Sequence, residues 1–207
     1  DLLPFPPYGF DVSIYKLIYE TTDTQGNMTI ASGALAIPNT GSNHVPLLSF
    51  QHGTVLERDQ VASEYGFDIL SMWLGTSGYV TALPDYLGLG VSEVFHPYII
   101  AEPSAYSVID MLRASREFCE LSGINLNDQV FLTGYSEGGY TTMAAHKVIE
   151  EEYIDEFNIT ASAPCAGPYD LSGVMVDLML SGNEYDQPYY LPYTVLAYQD
   201  SYNIVEN

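Results

Sequence analysis

Hydrophobic and polar residues alternate with a period of two over Val12 to Thr22 and again over Met28 to Ile37. Asp23 to Asn27 separates them and carries Asp, Gly and Asn, so the two runs predict an antiparallel hairpin. Further on the pattern changes. Short continuous apolar runs, Val45 to Phe50, Tyr79 to Leu83, Gln129 to Thr133 and Ile159 to Ala163, predict strands buried on both faces. Between them lie longer stretches of helical spacing: Val61 to Gly75, Pro103 to about Glu120, and Ser136 to about Glu152. Pro103 suits an early turn of its helix, where a missing N–H is not needed, and Ile109, Leu112 and Arg116 share one face.

After the hairpin, strands and helices therefore alternate, which predicts an α/β fold with a mostly parallel sheet flanked by helices. There are no internal repeats. In such sheets ligands bind at the carboxyl ends of the strands.

The 207 residues suffice for one sizeable core, and 47% hydrophobic content excludes a disordered chain. Eighteen tyrosines, apolar in body and polar at the tip, suit wet clefts as well as cores. The 27 acidic against 5 basic residues give a net charge of −22. Nucleic acid and anionic membrane surfaces are therefore poor partners, and a solvated, self-repelling surface suits a secreted, periplasmic or cell-surface setting. The acidic run Glu150 to Glu152, with Asp155 and Glu156, reads as a solvated helix face without metal-ligand spacing. No apolar run reaches the roughly 18 residues of a membrane span, and no signal peptide is expected among the residues given. With Asp1 rather than Met in first place, the chain is expected to be processed or trimmed. Asn27-Met28-Thr29 and Asn158-Ile159-Thr160 match the glycosylation triplet, which counts only in a eukaryotic secretory host. Cys119 and Cys165 form no framework and read as two buried free thiols, with a single disulfide as the alternative.

Gly134-Tyr135-Ser136-Glu137-Gly138 lies between a predicted strand and a predicted helix. That context gives the G-x-S-x-G pattern its meaning: a tight strand-to-helix turn pushes the Ser136 hydroxyl into the cleft, and glycines on either side let neighbouring backbone pass. The helix start also aims N–H groups at a developing oxyanion. Ser136 is thus the candidate nucleophile, with the backbone N–H of Glu137 as one oxyanion donor. His52-Gly53-Thr54 follows an earlier strand, where the second donor belongs, and Thr54 N–H is that candidate. His52 suits a structural role in holding its loop. His52, Gly53, Tyr86 and Tyr135 are candidates for contact with substrate, with His96 beside Tyr86 at the pocket rim. Asp85 is a candidate for a buried pair with Arg113 or Arg116, and Glu137 for a shaping or merely solvated side chain.

Gln51-His52-Gly53-Thr54, Pro84-Asp85-Tyr86-Leu87-Gly88-Leu89-Gly90, Asp110-Met111-Leu112-Arg113-Ala114 and Gly134 to Gly139 occur in this order over roughly Tyr15 to Asp170. In these residues the chain resembles the secreted lipase/esterase branch of the α/β-hydrolases, the group that includes Candida antarctica lipase A and related bacterial enzymes. The resemblance implies ester hydrolysis through an acyl-enzyme, no metal or organic cofactor, and a helical cap inserted after the strand that follows the nucleophile. It places the hydrolase core at residues 1–170 and the start of a cap or lid at 171–207. Val174 to Leu180 and the aromatic run Tyr189 to Tyr193, with Tyr198 and Tyr202, fall there, either as a lid or acyl-chain surface or as core packing.

The family order is Ser, then Asp, then His. Of His44, His52, His96 and His146, only His146 follows Ser136, and ten residues into the same helix it stands about 15 Å along the axis. Asp170 and Asp177 come too early for the acid. The fold is thus expected to be C-terminally incomplete, with the base and acid supplied by a missing C-terminal part. The leading expectation is a serine hydrolase acting on small-molecule or lipid carboxylic esters. A prolyl-oligopeptidase-like peptidase and a non-catalytic hydrolase relative that serves as a binding module are the alternatives.

Overall fold

The computed structural model describes residues 9–42, 44–65, 74–182, 184–185 and 187–204. Six strands form one sheet: β1 (Val12–Thr22), β2 (Met28–Pro38), β3 (Val45–Gln51), β4 (Val80–Pro84), β5 (Leu126–Tyr135) and β6 (Ile159–Cys165). Their spatial order is β1-β2-β4-β3-β5-β6. The predicted hairpin is present, with Val12 opposite Pro38 and Thr22 opposite Met28. Its turn is closed by Asp23, whose carboxylate accepts the N–H groups of Gln25 and Asn27. β2 joins β4 antiparallel, and β4, β3, β5 and β6 then run parallel.

The helices are a single turn α1 (Ala62–Tyr65), then α2 (Ala101–Leu121), α3 (Glu137–Glu152), α4 (Val176–Leu180) and α5 (Tyr190–Tyr202). Of the helix expected over Val61 to Gly75, only its ends are described, α1 and a turn at 74–76; its middle lies outside the described residues. Serines at 104, 107 and 115 return their hydroxyls to the carbonyls four residues back, which hides the polar atoms of a buried helix face.

Period-two alternation sorts the strand side chains onto two faces. Leu35, Leu47, Val80, Val130 and Leu132 meet Val108, Ile109, Met111 and Leu112 of α2 and Ala145 and Ile149 of α3. Each large side chain so buried contributes roughly 1.5–3 kcal/mol. On the other face Ala34, Leu48, Phe50 and Leu83 pack with Ala62, Leu74, Tyr79 and Phe131. Beyond β6 a wide turn over Leu171–Met175, capped by the Asp170 carboxylate on Gly173 N–H, leads into α4. α5 returns to the core, burying Ala197 against Tyr98, Ile99 and Ile100.

Three sequence expectations need correction. Both cysteines are free thiols as expected, Cys119 on α2 and Cys165 at the end of β6, but only Cys119 is buried, while Cys165 is exposed. Asp85 pairs with neither Arg113 nor Arg116. Its buried carboxylate accepts the Ser32 hydroxyl at 2.6 Å and the Ser63 N–H at 3.2 Å. The two arginines instead face the turn after α3, where Arg113 forks onto Glu156 and also reaches Asp110, and Arg116 donates to the Glu156 carbonyl. Glu156 is therefore engaged rather than simply solvated.

Candidate active site

The carboxyl ends of the parallel strands share one edge of the sheet: Gln51 lies opposite Gly134, and Tyr135 opposite Cys165. Ser136 follows β5 directly, with φ 60° and ψ −123°, and α3 begins at Glu137. A non-glycine residue held there stores about 1–3 kcal/mol of backbone strain. The turn is held from both sides. Ser136 N–H donates to the Cys165 carbonyl at 3.0 Å, and Tyr140 N–H donates to the Ser136 carbonyl at 3.1 Å. Gly138 is required by close approach, since a Cβ there would run into the Gln51 carbonyl. As the first residue of α3, Glu137 has no helical acceptor for its N–H.

The loop after β3 passes beside this turn. A Cβ on Gly53 would lie 3.3 Å from the Tyr135 carbonyl and 3.7 Å from Ser136 Cβ. Several contacts pin the loop. The buried Gln51 side chain donates to Ser49 and accepts from the Thr142 hydroxyl of α3. His52 sits between two carbonyl oxygens, Nδ1 at 2.7 Å from that of Gly53 and Nε2 at 3.2 Å from that of Asp85. Its ring stacks on Tyr86 at 4.2 Å, and the Tyr86 hydroxyl donates to the His52 carbonyl. Thr54 Oγ1 is 2.9 Å from the Tyr98 hydroxyl.

Ser136 lies in the walls of two cavities. One, of about 760 Å³, is lined by His52, Gly53, Thr54, Gln60 and Tyr135. The other, of about 560 Å³, is lined chiefly by apolar side chains of the C-terminal segment, including Leu171, Met175, Val176, Met179 and Val195. Tyr190 contributes to both. The structure thus brings together Ser136, His52, Gly53, Thr54 and Tyr135. Tyr86 does not join them, because it is 2% exposed and supports the loop from beneath. Nor does His96 form a rim, being buried against Glu137.

Glu137 is the largest departure from expectation. It is not solvated. Its side chain is 3% exposed, and Oε1 lies 2.7 Å from His96 Nε2. His96 Nδ1 lies 2.7 Å from the Leu87 carbonyl, which can only accept, so Nδ1 carries a hydrogen and a single further proton sits between Nε2 and the carboxyl. The second oxygen, Oε2, is buried with no partner among the described residues. Burial first, and this nearby carboxylate second, push the Tyr193 hydroxyl well above its ordinary range. Tyr98 moves the same way, mainly through burial, so both phenols stay protonated. The sequence did carry a signal for this arrangement. Gly88, at φ 78°, is where a Cβ would strike the His96 backbone, so the glycine of the Pro84 to Gly90 segment permits the close return that brings His96 to the site.

The remaining candidates stand apart. His146 pairs with Glu150 one turn on, at 3.2 Å, and His44 is exposed on the approach to β3. Asp170 is taken up as a cap, and Asp177 lies in the first turn of α4. Among the described residues, no group of three or more His, Cys, Asp or Glu is placed to hold a metal ion.

Residues 57–179, more than half of the chain and including the Ser136 turn, match the secretory lipase family. The chain belongs to that family. The chain superimposes on a candidate hydrolase of Legionella pneumophila with a TM-score of 0.88 and 35% identity, over 97% of this chain and 56% of that one. The rice cell wall degrading esterase LipA of Xanthomonas oryzae gives 0.88 and 32%, over 96% and 55% respectively. Candida antarctica lipase A, at 21% identity and a TM-score of 0.52 over 73% and 37%, shares the fold. Among curated proteins none matches the chain. The chain therefore has the α/β-hydrolase fold and spans a little over half the length of the first two solved relatives. No described helix is long and apolar enough to cross a membrane.

Proposed function

We propose that the protein carrying this chain is a secreted serine hydrolase that cleaves carboxylic esters, with Ser136 as nucleophile. The observation that carries the reading is the strained Ser136 turn, in the walls of two cavities and beside the Gly53 loop. The Ser136 oxygen attacks the ester carbonyl while its proton passes to a histidine base. Collapse of the tetrahedral intermediate releases the alcohol, which takes that proton, and leaves an acyl-serine that water then hydrolyses. The N–H groups of Thr54 and Glu137 hold the oxyanion, and loss of one such donor costs about 10²–10³ in kcat. His52, Gly53 and Tyr135 line the approach.

His146 and the two buried or pinned histidines, His52 and His96, do not fit the base. We assign the base and its aspartate to the part of the relatives' length that this chain does not span. β6, paired on one side only among the described residues, offers the edge from which further parallel strands continue. Residues 171–207 fit the start of a cap on the 1–170 core, and the apolar cavity beneath them suits an acyl chain. Membership of a secretory lipase family favours esters over peptides. The test compares nitrophenyl esters with proline-containing peptides in the full-length protein. Ester turnover that disappears in Ser136→Ala supports the reading, and turnover that survives the substitution overturns it.

A further inference from the structure

The two amides assigned to the oxyanion lie on unconnected elements, Thr54 on the loop after β3 and Glu137 at the start of α3. The side chain of each is nevertheless gripped by the same three-residue segment. Tyr98 meets Thr54 Oγ1 at 2.9 Å, and His96 meets the Glu137 carboxyl at 2.7 Å. We propose that His96-Pro97-Tyr98 is a clamp that sets the spacing of the two oxyanion donors, with His96 and Tyr98 as positioning residues that act through Glu137 and Thr54. The inference rests on the acyl-transfer reading of Ser136 and deepens it.

The segment is built to be rigid. His96 is fixed at its far nitrogen by the Leu87 carbonyl, and its backbone passes Gly88 where a Cβ would lie only 2.3 Å from the His96 nitrogen. Tyr98 stacks on Tyr193 of α5 with ring centroids 4.4 Å apart and planes 6° apart. The next residue, Ile99, is at φ 56°, and its carbonyl accepts the Tyr198 hydroxyl of α5 at 3.2 Å. The 98–100 stretch packs with Ala197 of the same helix. The clamp therefore also ties the oxyanion loops to the C-terminal segment, so that seating of α5 and spacing of the donors are linked. Donors preset where charge develops act without reorganisation during the reaction, which is the circumstance in which sub-ångström spacing matters.

The variants Tyr98→Phe, Glu137→Ala and Glu137→Gln in the full-length protein separate positioning from folding. Tyr98→Phe removes one hydroxyl and keeps the ring stack, so it folds. The clamp predicts that Tyr98→Phe and Glu137→Ala each lower kcat on a nitrophenyl ester about 10- to 100-fold with KM nearly unchanged. Glu137→Gln, whose amide can still donate to a neutral His96, recovers most of what Glu137→Ala loses. Adding Thr54→Val to Tyr98→Phe lowers kcat no further, because the two changes cut the same contact. Wild-type kcat in Tyr98→Phe, a rise in KM alone, or additive losses in the double variant overturns the clamp. A fluorophosphonate adduct on Ser136 in the wild type, alongside any of these, places the failure in the clamp. Absence of that adduct overturns the acyl-transfer reading and the clamp with it.

Discussion

The Glu137 carboxyl and the His96 imidazole meet at 2.7 Å with both side chains at 5% exposure or less, one residue away from the strained Ser136 turn. A buried carboxyl is tolerated only when paired, and here the partner comes from a loop 41 residues earlier. That loop reaches the site because glycine at 88 lets it pass against its own return. Position, pairing and proton content of this pair follow from the same few contacts.

Breaking the pair is expected to be costly. His96→Ala leaves the carboxyl buried without a partner and should lower stability by roughly 3–5 kcal/mol. Glu137→Gln should cost about 1.5 kcal/mol or less, because an amide still bonds the ring. Chemical denaturation of both variants against the parent measures the difference.

The crossing of α3 over the end of β3 gives a second expectation. At Gly138 an added methyl meets the Gln51 carbonyl, a backbone atom that cannot swing away. Gly138→Ala should destabilise by about 3 kcal/mol and displace the Ser136 turn. At Gly26, in the hairpin turn, a Cβ meets nothing within 4 Å, and only the cost of its positive φ remains. Comparing the thermal midpoints of Gly138→Ala and Gly26→Ala separates steric contact from backbone strain.

The cysteines should differ in reactivity. Burial pushes the Cys119 thiol up to about 11, whereas Cys165 is exposed at the end of β6. At pH 8, iodoacetamide followed by peptide mass spectrometry should find Cys165 modified and Cys119 protected until denaturant is added. Equal modification of both in the folded protein would contradict the packing of α2.

Much of this was legible in the sequence. The alternation over Val12 to Thr22 and the continuous apolar runs at Val45, Tyr79, Gln129 and Ile159 marked the strands along the chain, since both patterns are local signals, whereas their order in the sheet was not legible. Gly134 to Gly138 and His52 to Thr54 announced the turn and its neighbouring loop for the same reason. What lay hidden depends on long-range contact. The partner of Asp85 is a serine 53 residues earlier, and no local pattern distinguishes it from an arginine on α2. Tyr86 reads as a rim residue by its place in the motif, yet its hydroxyl is turned under His52. Cys165 is exposed along with most of β6, the outermost strand among the described residues, and the apolar run Ile159 to Ala163 gives no sign of that position.

The acid side of stability should trace in part to one ion pair. The Arg113 guanidinium, hydrogen-bonded to Glu156, holds that carboxyl below its usual range. A depressed value means stability that is present above the unfolded carboxyl's range near pH 4.3 and lost as pH falls through the folded one. Both partners are 37% exposed, so the contribution is about 0.5–1 kcal/mol. Between about pH 5 and pH 3 the parent should lose this increment, and Glu156→Gln should not. Denaturation midpoints across that range give the comparison.

Every step of the proposed chemistry starts from the Ser136 oxygen. The most direct measurement is fluorophosphonate labelling of the full-length protein, with mass spectrometry of the peptide that contains Gly134 to Gly139. A single phosphonate adduct is expected on Ser136, absent in Ser136→Ala and appearing in step with loss of ester hydrolysis. Ester hydrolysis with no adduct on Ser136, or with an adduct on a different serine, would contradict it.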